Sequence, residues 1–167
     1  CMQGGPLATA IGFTAAEVDD LLTYYGLRAQ KPVVTRWYDG YRIGAAEVYC
    51  PWDVVRFCND LLVNDASAQD FQPENYWADT SSNDVIEDFL EFLSPAYTDK
   101  MQTLVDGGTI EFTVNEQLTY GDFRLHRADD FWTLLLFTGY LTVVERIAGK
   151  SQTFLVRIPN EEIRQTF

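Results

Sequence analysis

Apolar positions recur at helical spacing along the front of this chain, and at strand spacing only in short stretches further on. The first clear element opens at Thr14-Ala15-Ala16-Glu17, a capping box in which the Thr14 hydroxyl accepts from the Glu17 amide and Glu17 reaches back. Val18, Leu21, Leu22 and Tyr25 then share one face and Gly26 supplies the stop, so the pattern predicts a helix over 14–25 with Phe13 stapled onto Val18. A short helix is expected over Val33 to Tyr38 after Pro32, with Asp39-Gly40 as a turn. Tyr41 to Ile43 and Glu47 to Tyr49 are expected to pair across Gly44-Ala45-Ala46. Pro51 suits a first helical turn, and Trp52, Val55, Phe57, Leu61 and Leu62 furnish the apolar positions of a helix reaching about Val63.

A polar loop over Asn64 to Glu74 follows, then a cap-rich cluster, Asp79 to Asn83, ahead of a helix carrying Val85, Ile86, Phe89, Leu90 and Leu93. Ser94-Pro95 starts another helix, which reaches Val105 and leaves through Gly107-Gly108. From there the period changes. Ile110, Phe112 and Val114 alternate with Thr109, Glu111 and Thr113, the mark of a half-buried strand. Leu118 to Phe123 reads as a helical turn. Asp129 or Asp130 is placed to cap a strongly apolar helix through Leu136, closed by Gly139. Leu141 to Arg146 and Thr153 to Ile158 read as a hairpin around Gly149-Lys150, and Pro159-Asn160 opens a last helix. The expected fold class is α+β, mainly α-helical with small β-hairpins, and the helix-hairpin-helix order makes the C-terminal part winged-helix-like. A soft boundary at Gly107-Gly108 divides a helical lid-like subdomain, 1–107, from a winged-helix-like subdomain, 108–167, truncated at its end.

Charge sharpens this division. The 167 residues carry 12 Lys+Arg against 25 Asp+Glu, a formal net charge of −13. All of that excess lies in residues 1–118, whereas 119–167 balance 6 basic against 6 acidic side chains. A surface so acidic repels polyanions, so contact with nucleic acid or anionic lipid would have to be local. The longest apolar stretch, Phe131 to Leu141, is interrupted by Thr133, Thr138 and Gly139 and falls short of a membrane span, so a soluble chain is expected. No signal peptide is visible, and the three cysteines, Cys1, Cys50 and Cys58, have no CxxC spacing, which reads as reduced thiols in a cytoplasmic protein with Cys50 and Cys58 as core fillers. His126 is the single histidine, which argues against an imidazole-based metal site. The first residue is not Met and the final helix stops before its second turn is complete, so the chain reads as a piece of a longer one.

Self-contained catalysis has no candidate motif: GxxxxGK[ST], GxSxG, HExxH and GxGxxG are all missing from the sequence. Five strings are instead dense in aromatic and turn-forming residues. They are Trp37-Tyr38-Asp39-Gly40-Tyr41, Tyr49-Cys50-Pro51-Trp52, Trp77 with Asp79 to Asp84, LLFTGYLT from Leu135 to Thr142, and RIPNEEIR from Arg157 to Arg164. In this order they resemble the predicted AAA-ATPase-like family of bacterial proteins, and the resemblance spans about Phe13 to Phe167. Cys50, Asp53 and Asp79 depart from that pattern. The resemblance implies a P-loop core preceding this region, a nuclease-like domain of the PD-(D/E)XK type often following it, and ATP with Mg as the parent chain's cofactors. It makes the missing P-loop domain the natural partner and this chain a lid and interaction portion rather than an enzyme.

Most motif residues also have a plain structural reading. Trp37, Tyr38, Tyr41, Trp52, Trp77 and Trp132 suit a core, Asp39-Gly40 a turn, and Thr80, Ser81, Ser82 and Asn83 a helix cap or a contact with the ATPase core. Asp129-Asp130 and Glu161-Glu162 match the dipoles of two helix starts and need no metal. Arg42, with Arg36 just before the string, is the candidate to reach a nucleotide phosphate, against the alternative of a pair with Asp39 or Glu47. A second function class, a nucleic-acid-binding winged helix in a nuclease-linked system, rests on Arg124, His126, Arg127, Arg146, Lys150 and Arg157 in the neutral tail. A structural scaffold between domains is the third.

Overall fold

A computed structural model describes residues 11–64, 71–76, 95–117 and 128–167. The expected helix over Val85 to Leu93, the helical turn at Leu118 to Phe123 and the Trp77 and Thr80 to Asn83 positions lie outside the described residues, as do Cys1, Arg124, His126 and Arg127. The described chain is α+β, with six α-helices and two small antiparallel sheets. It divides into two compact units, one of 1–78 and 160–166, the other of 79–159 and Phe167. The change of period at Gly107-Gly108 thus falls inside the second unit. There Gly108 N donates to Thr103 O at 2.8 Å as the chain turns from helix into strand.

In the first unit, α1 spans Ala15–Tyr24 behind the full Thr14/Glu17 capping box. Val18 and Leu22 are buried, while Tyr25 leaves the expected face and stands 43% exposed against Tyr24. A 3-10 turn at Arg28–Gln30 leads into α2, Lys31–Tyr38, so Pro32 sits within the first turn instead of before it. Strands β1, Tyr41–Ile43, and β2, Ala46–Val48, pair with Arg42 opposite Glu47. Their turn is one residue shorter than the expected Gly44-Ala45-Ala46 loop: Ile43 faces Ala46 directly, and Gly44 takes φ 64° in the two-residue turn. Tyr49, expected in the hairpin, instead bridges to Phe13, with Tyr49 N donating to Phe13 O at 2.8 Å.

Helix α3, Pro51–Val63, buries Val54, Phe57, Cys58 and Leu61, spaced to form a single stripe. Trp52, Val55 and Leu62 lie off that stripe and are 63%, 46% and 48% exposed. The expectation of Trp52 as a core aromatic is corrected accordingly: α3 is apolar on two sides, and the side facing α2 was chosen by packing. Tyr38 is the centre of this core, with ring centroids 5.6 Å from Phe57 and 5.9 Å from Tyr76.

The second unit contains α4, Pro95–Val105, β3, Ile110–Thr113, α5, Ala128–Phe137, β4, Thr142–Arg146, and β5, Thr153–Arg157. The sheet order is β3-β5-β4, antiparallel throughout, with Ile110 opposite Val156 and an irregularity between Val143 and Glu145. Ile110 and Phe112 point inward and Glu111 and Thr113 outward, as the alternation predicts. Asp130 does not cap α5. It is 2% exposed and accepts from Asn115 Nδ2 at 2.7 Å, tying the helix to the chain leaving β3. Trp132 is buried and stacked on Tyr97. The last helix, α6, Glu161–Arg164, belongs to the first unit and is capped by Asn160.

Candidate functional site

Three of the five aromatic-rich strings meet inside the first unit. Tyr38 and Tyr41 come from the first string, Cys50 from the second with Asp53 just beyond it, and Asn160 and Glu162 from the fifth. Local structure presents each acid at a helix start. Asp53 is the third residue of α3 after the Cys50 cap position, and Glu162 is the second residue of α6 after Asn160, whose Oδ1 accepts from Ile163 N at 3.0 Å. The partial positive charge of a helix N-terminus favours an acid there. Burial opposes it, because both Asp53 and Glu162 are 0% exposed.

Burial prevails at Asp53. Its carboxyl is raised above the ordinary range by loss of water, partly offset by the Cys50 thiol and the Glu162 carboxyl beside it. Neither Asp53 oxygen meets an N–H or O–H donor among the described residues. The surrounding groups are shifted the same way: burial and then Asp53 push the Cys50 thiol up to about 12, and burial raises Tyr38 and Tyr41. Cys50 is therefore a neutral thiol, not a nucleophile. The C-terminal segment that carries Glu162 is held by Asn75, whose Nδ2 donates to Glu162 O and to Thr166 Oγ1, each at 3.0 Å. Ile163 is fully buried, and Arg36 lies 4.0 Å from Glu161.

The remaining candidates are scattered. Trp37 packs against the core edge, and Asp39 ends α2 with its N–H donating to Thr35 O. Arg42 is exposed on β1 directly across from Glu47. Trp52 stands outside with the Arg56 guanidinium 5.7 Å from its ring. Arg146, Lys150 and Arg157 are exposed in the second unit, where Lys150 pairs with Glu111. The LLFTGYLT string lies in that unit too and is spent on packing: Leu135 and Tyr140 are fully buried and Gly139 turns the chain at φ 90°. Among the described residues no group of His, Cys, Asp or Glu is placed to hold a metal, and no helix is long and apolar enough to cross a membrane.

Sequence reasoning passed over the Asp53 and Glu162 pair. Glu162 is one of two acids in the first turn of α6, as the dipole reading expects, but unlike Glu161 it is fully buried and faces Asp53. Asp53 was visible only as a departure from the string pattern. No family model, curated protein or solved structure matches this chain.

Proposed function

We propose that this chain is the non-catalytic lid and interaction portion that follows the nucleotide-binding core of a P-loop ATPase. The observation that carries the reading is the convergence of three strings, far apart in sequence, on a carboxyl pair closed to solvent. Acids with no exposed surface act on their neighbours and not on a dissolved substrate, so the motif residues build an internal junction. The second unit supports the reading by its topology: a helix, a strand, a helix and a hairpin, with the last strand central, fit a winged helix.

The cofactors of the parent chain would be ATP and Mg. The residues here fit that role only from outside, since Arg42 offers an exposed guanidinium and no phosphate-cradling loop accompanies it. Millimolar Mg-ATP is expected to leave the melting temperature of this chain unchanged, because ligand bound to the folded state raises stability by about 2.7 kcal/mol at a hundred times the dissociation constant. A clear rise would overturn the reading. In the parent chain, Arg42→Ala is expected to reduce turnover by about 10³ if the guanidinium meets the phosphates. A rate within about threefold of the parent would assign Arg42 to a cross-strand role with Glu47, worth at most about 1 kcal/mol.

The exposed Arg146, Lys150 and Arg157 of the β4-β5 hairpin favour a second reading, a winged helix that touches nucleic acid. Helix α5, the element such a module would insert, carries Asp129 and Asp130 and no basic residue, which favours the lid. Submicromolar duplex binding lost on replacing Arg146 and Lys150 would reverse that preference.

A further inference from the structure

We propose that Asp53 and Glu162 hold one proton between them, and that this shared proton latches the segment 160–166 onto the first unit, so that the segment opens as the proton leaves. The geometry is that of a returning strap. Residues 160–166 rejoin a unit otherwise made of 1–78, and they meet it through the Glu162 carboxyl, the Ile163 side chain and the two bonds from Asn75. A fully buried Asp53 that meets no N–H donor among the described residues, and has only the Cys50 thiol and the Glu162 carboxyl beside it, is poorly placed as a bare carboxylate. With one proton on the pair, a carboxyl O–H donates to the facing carboxylate oxygen in place of a contact between two bare acids. The remaining negative charge lies at the amino end of α3, where the helix dipole favours it.

Neighbouring groups leave this proton as the one that titrates. From α2, Tyr38 faces the pair, with Tyr76 beside it; from β1, Tyr41; and from the start of α3, the Cys50 thiol. Burial raises all of these, so they stay neutral across the ordinary working range. Arg36 and Arg164 sit on Glu161 at 4.0 and 3.9 Å, both with their side chains partly in solvent. The sign follows from linkage. The closed state keeps its proton above the ordinary carboxylate range of about 4, whereas the opened acids return to that range and release it. Opening is therefore favoured as pH rises, by up to about tenfold per pH unit between the two values.

Hydrogen exchange on the intact chain, corrected for the intrinsic pH dependence of amide exchange, reads this directly. The amides of Ile163, Arg164 and Gln165, bonded to Asn160 Oδ1, Asn160 O and Glu161 O, are expected to lose protection up to about tenfold per pH unit. The α3 amides at Phe57 and Leu61 are expected to stay protected. Asp53→Asn and Glu162→Gln, which keep a bond without the titrating pair, are each expected to flatten the profile at 163–165. The proposal is overturned if protection at 163–165 does not change with pH, if it falls together with α3, or if a folded variant keeps the parent's profile. Should neither variant fold, the contrast between 163–165 and α3 in the parent chain decides.

Discussion

The Tyr76 hydroxyl donates to Asp60 Oδ2 at 2.7 Å while its ring packs against Tyr38, so one side chain closes both an apolar contact and a polar one. Tyr76→Phe keeps the ring and removes the bond. The expected cost is about 1–2 kcal/mol in urea unfolding, the low end of a bond to a charged group because Asp60 is partly solvated. A change under a few tenths would show that water replaces the hydroxyl. Two acids at helix starts give opposite pH signs. Glu17 lies below the ordinary range because it accepts from the Thr14 backbone and hydroxyl, so its contribution is present above that range and lost as pH falls through its lowered value. Asp53, raised by burial, contributes at low pH and loses that contribution as pH rises through its folded value. Glu17→Gln should accordingly lower the urea midpoint near neutral pH and converge with the parent as pH falls through the lowered value of Glu17; a constant difference would mean the charge is not involved.

Between elements, Gly12 shows how close approach constrains the fold. A Cβ there would meet Val48 Cβ at 2.7 Å and Tyr49 O at 2.9 Å, beside the Phe13-Tyr49 bridge. Gly12→Ala must push the two segments apart, and a loss of about 1–3 kcal/mol is expected from overpacking. Unchanged stability by thermal melting would mean the segment 11–13 moves freely away from β2. The sequence made some elements fully legible and others only in part. The α1 cap could be read because every partner lies within four positions, as could the inward and outward parity of β3. The face of α3 could not, since Trp52, Val55 and Leu62 are as apolar as Val54, Phe57 and Leu61, and hydrophobicity alone does not choose between them.

For the whole chain, the formal charge of −13 sets up self-repulsion that counterions relieve. Screening lengths fall from about 30 Å at 0.01 M salt to about 10 Å at 0.1 M, so the melting temperature is expected to rise with sodium chloride over that range. A fall would show that pairs such as Lys31-Asp19, at 3.0 Å, outweigh the general repulsion. The sequence by itself determined the local grammar: the Thr14 and Asn160 caps, the turn glycines, the α+β mixture and the hairpin around Gly149. Each depends on residues a few positions apart, whose backbone preferences and hydrogen bonds act before any packing. Tertiary structure alone decided that β5 stands between β3 and β4, that Trp52 faces out, and that Asp53 meets Glu162 more than a hundred positions away. Strand neighbours and buried faces are chosen by contacts between distant segments. The proton affinity of a carboxyl is set by the water and donors removed around it, and those are known only once the chain has folded.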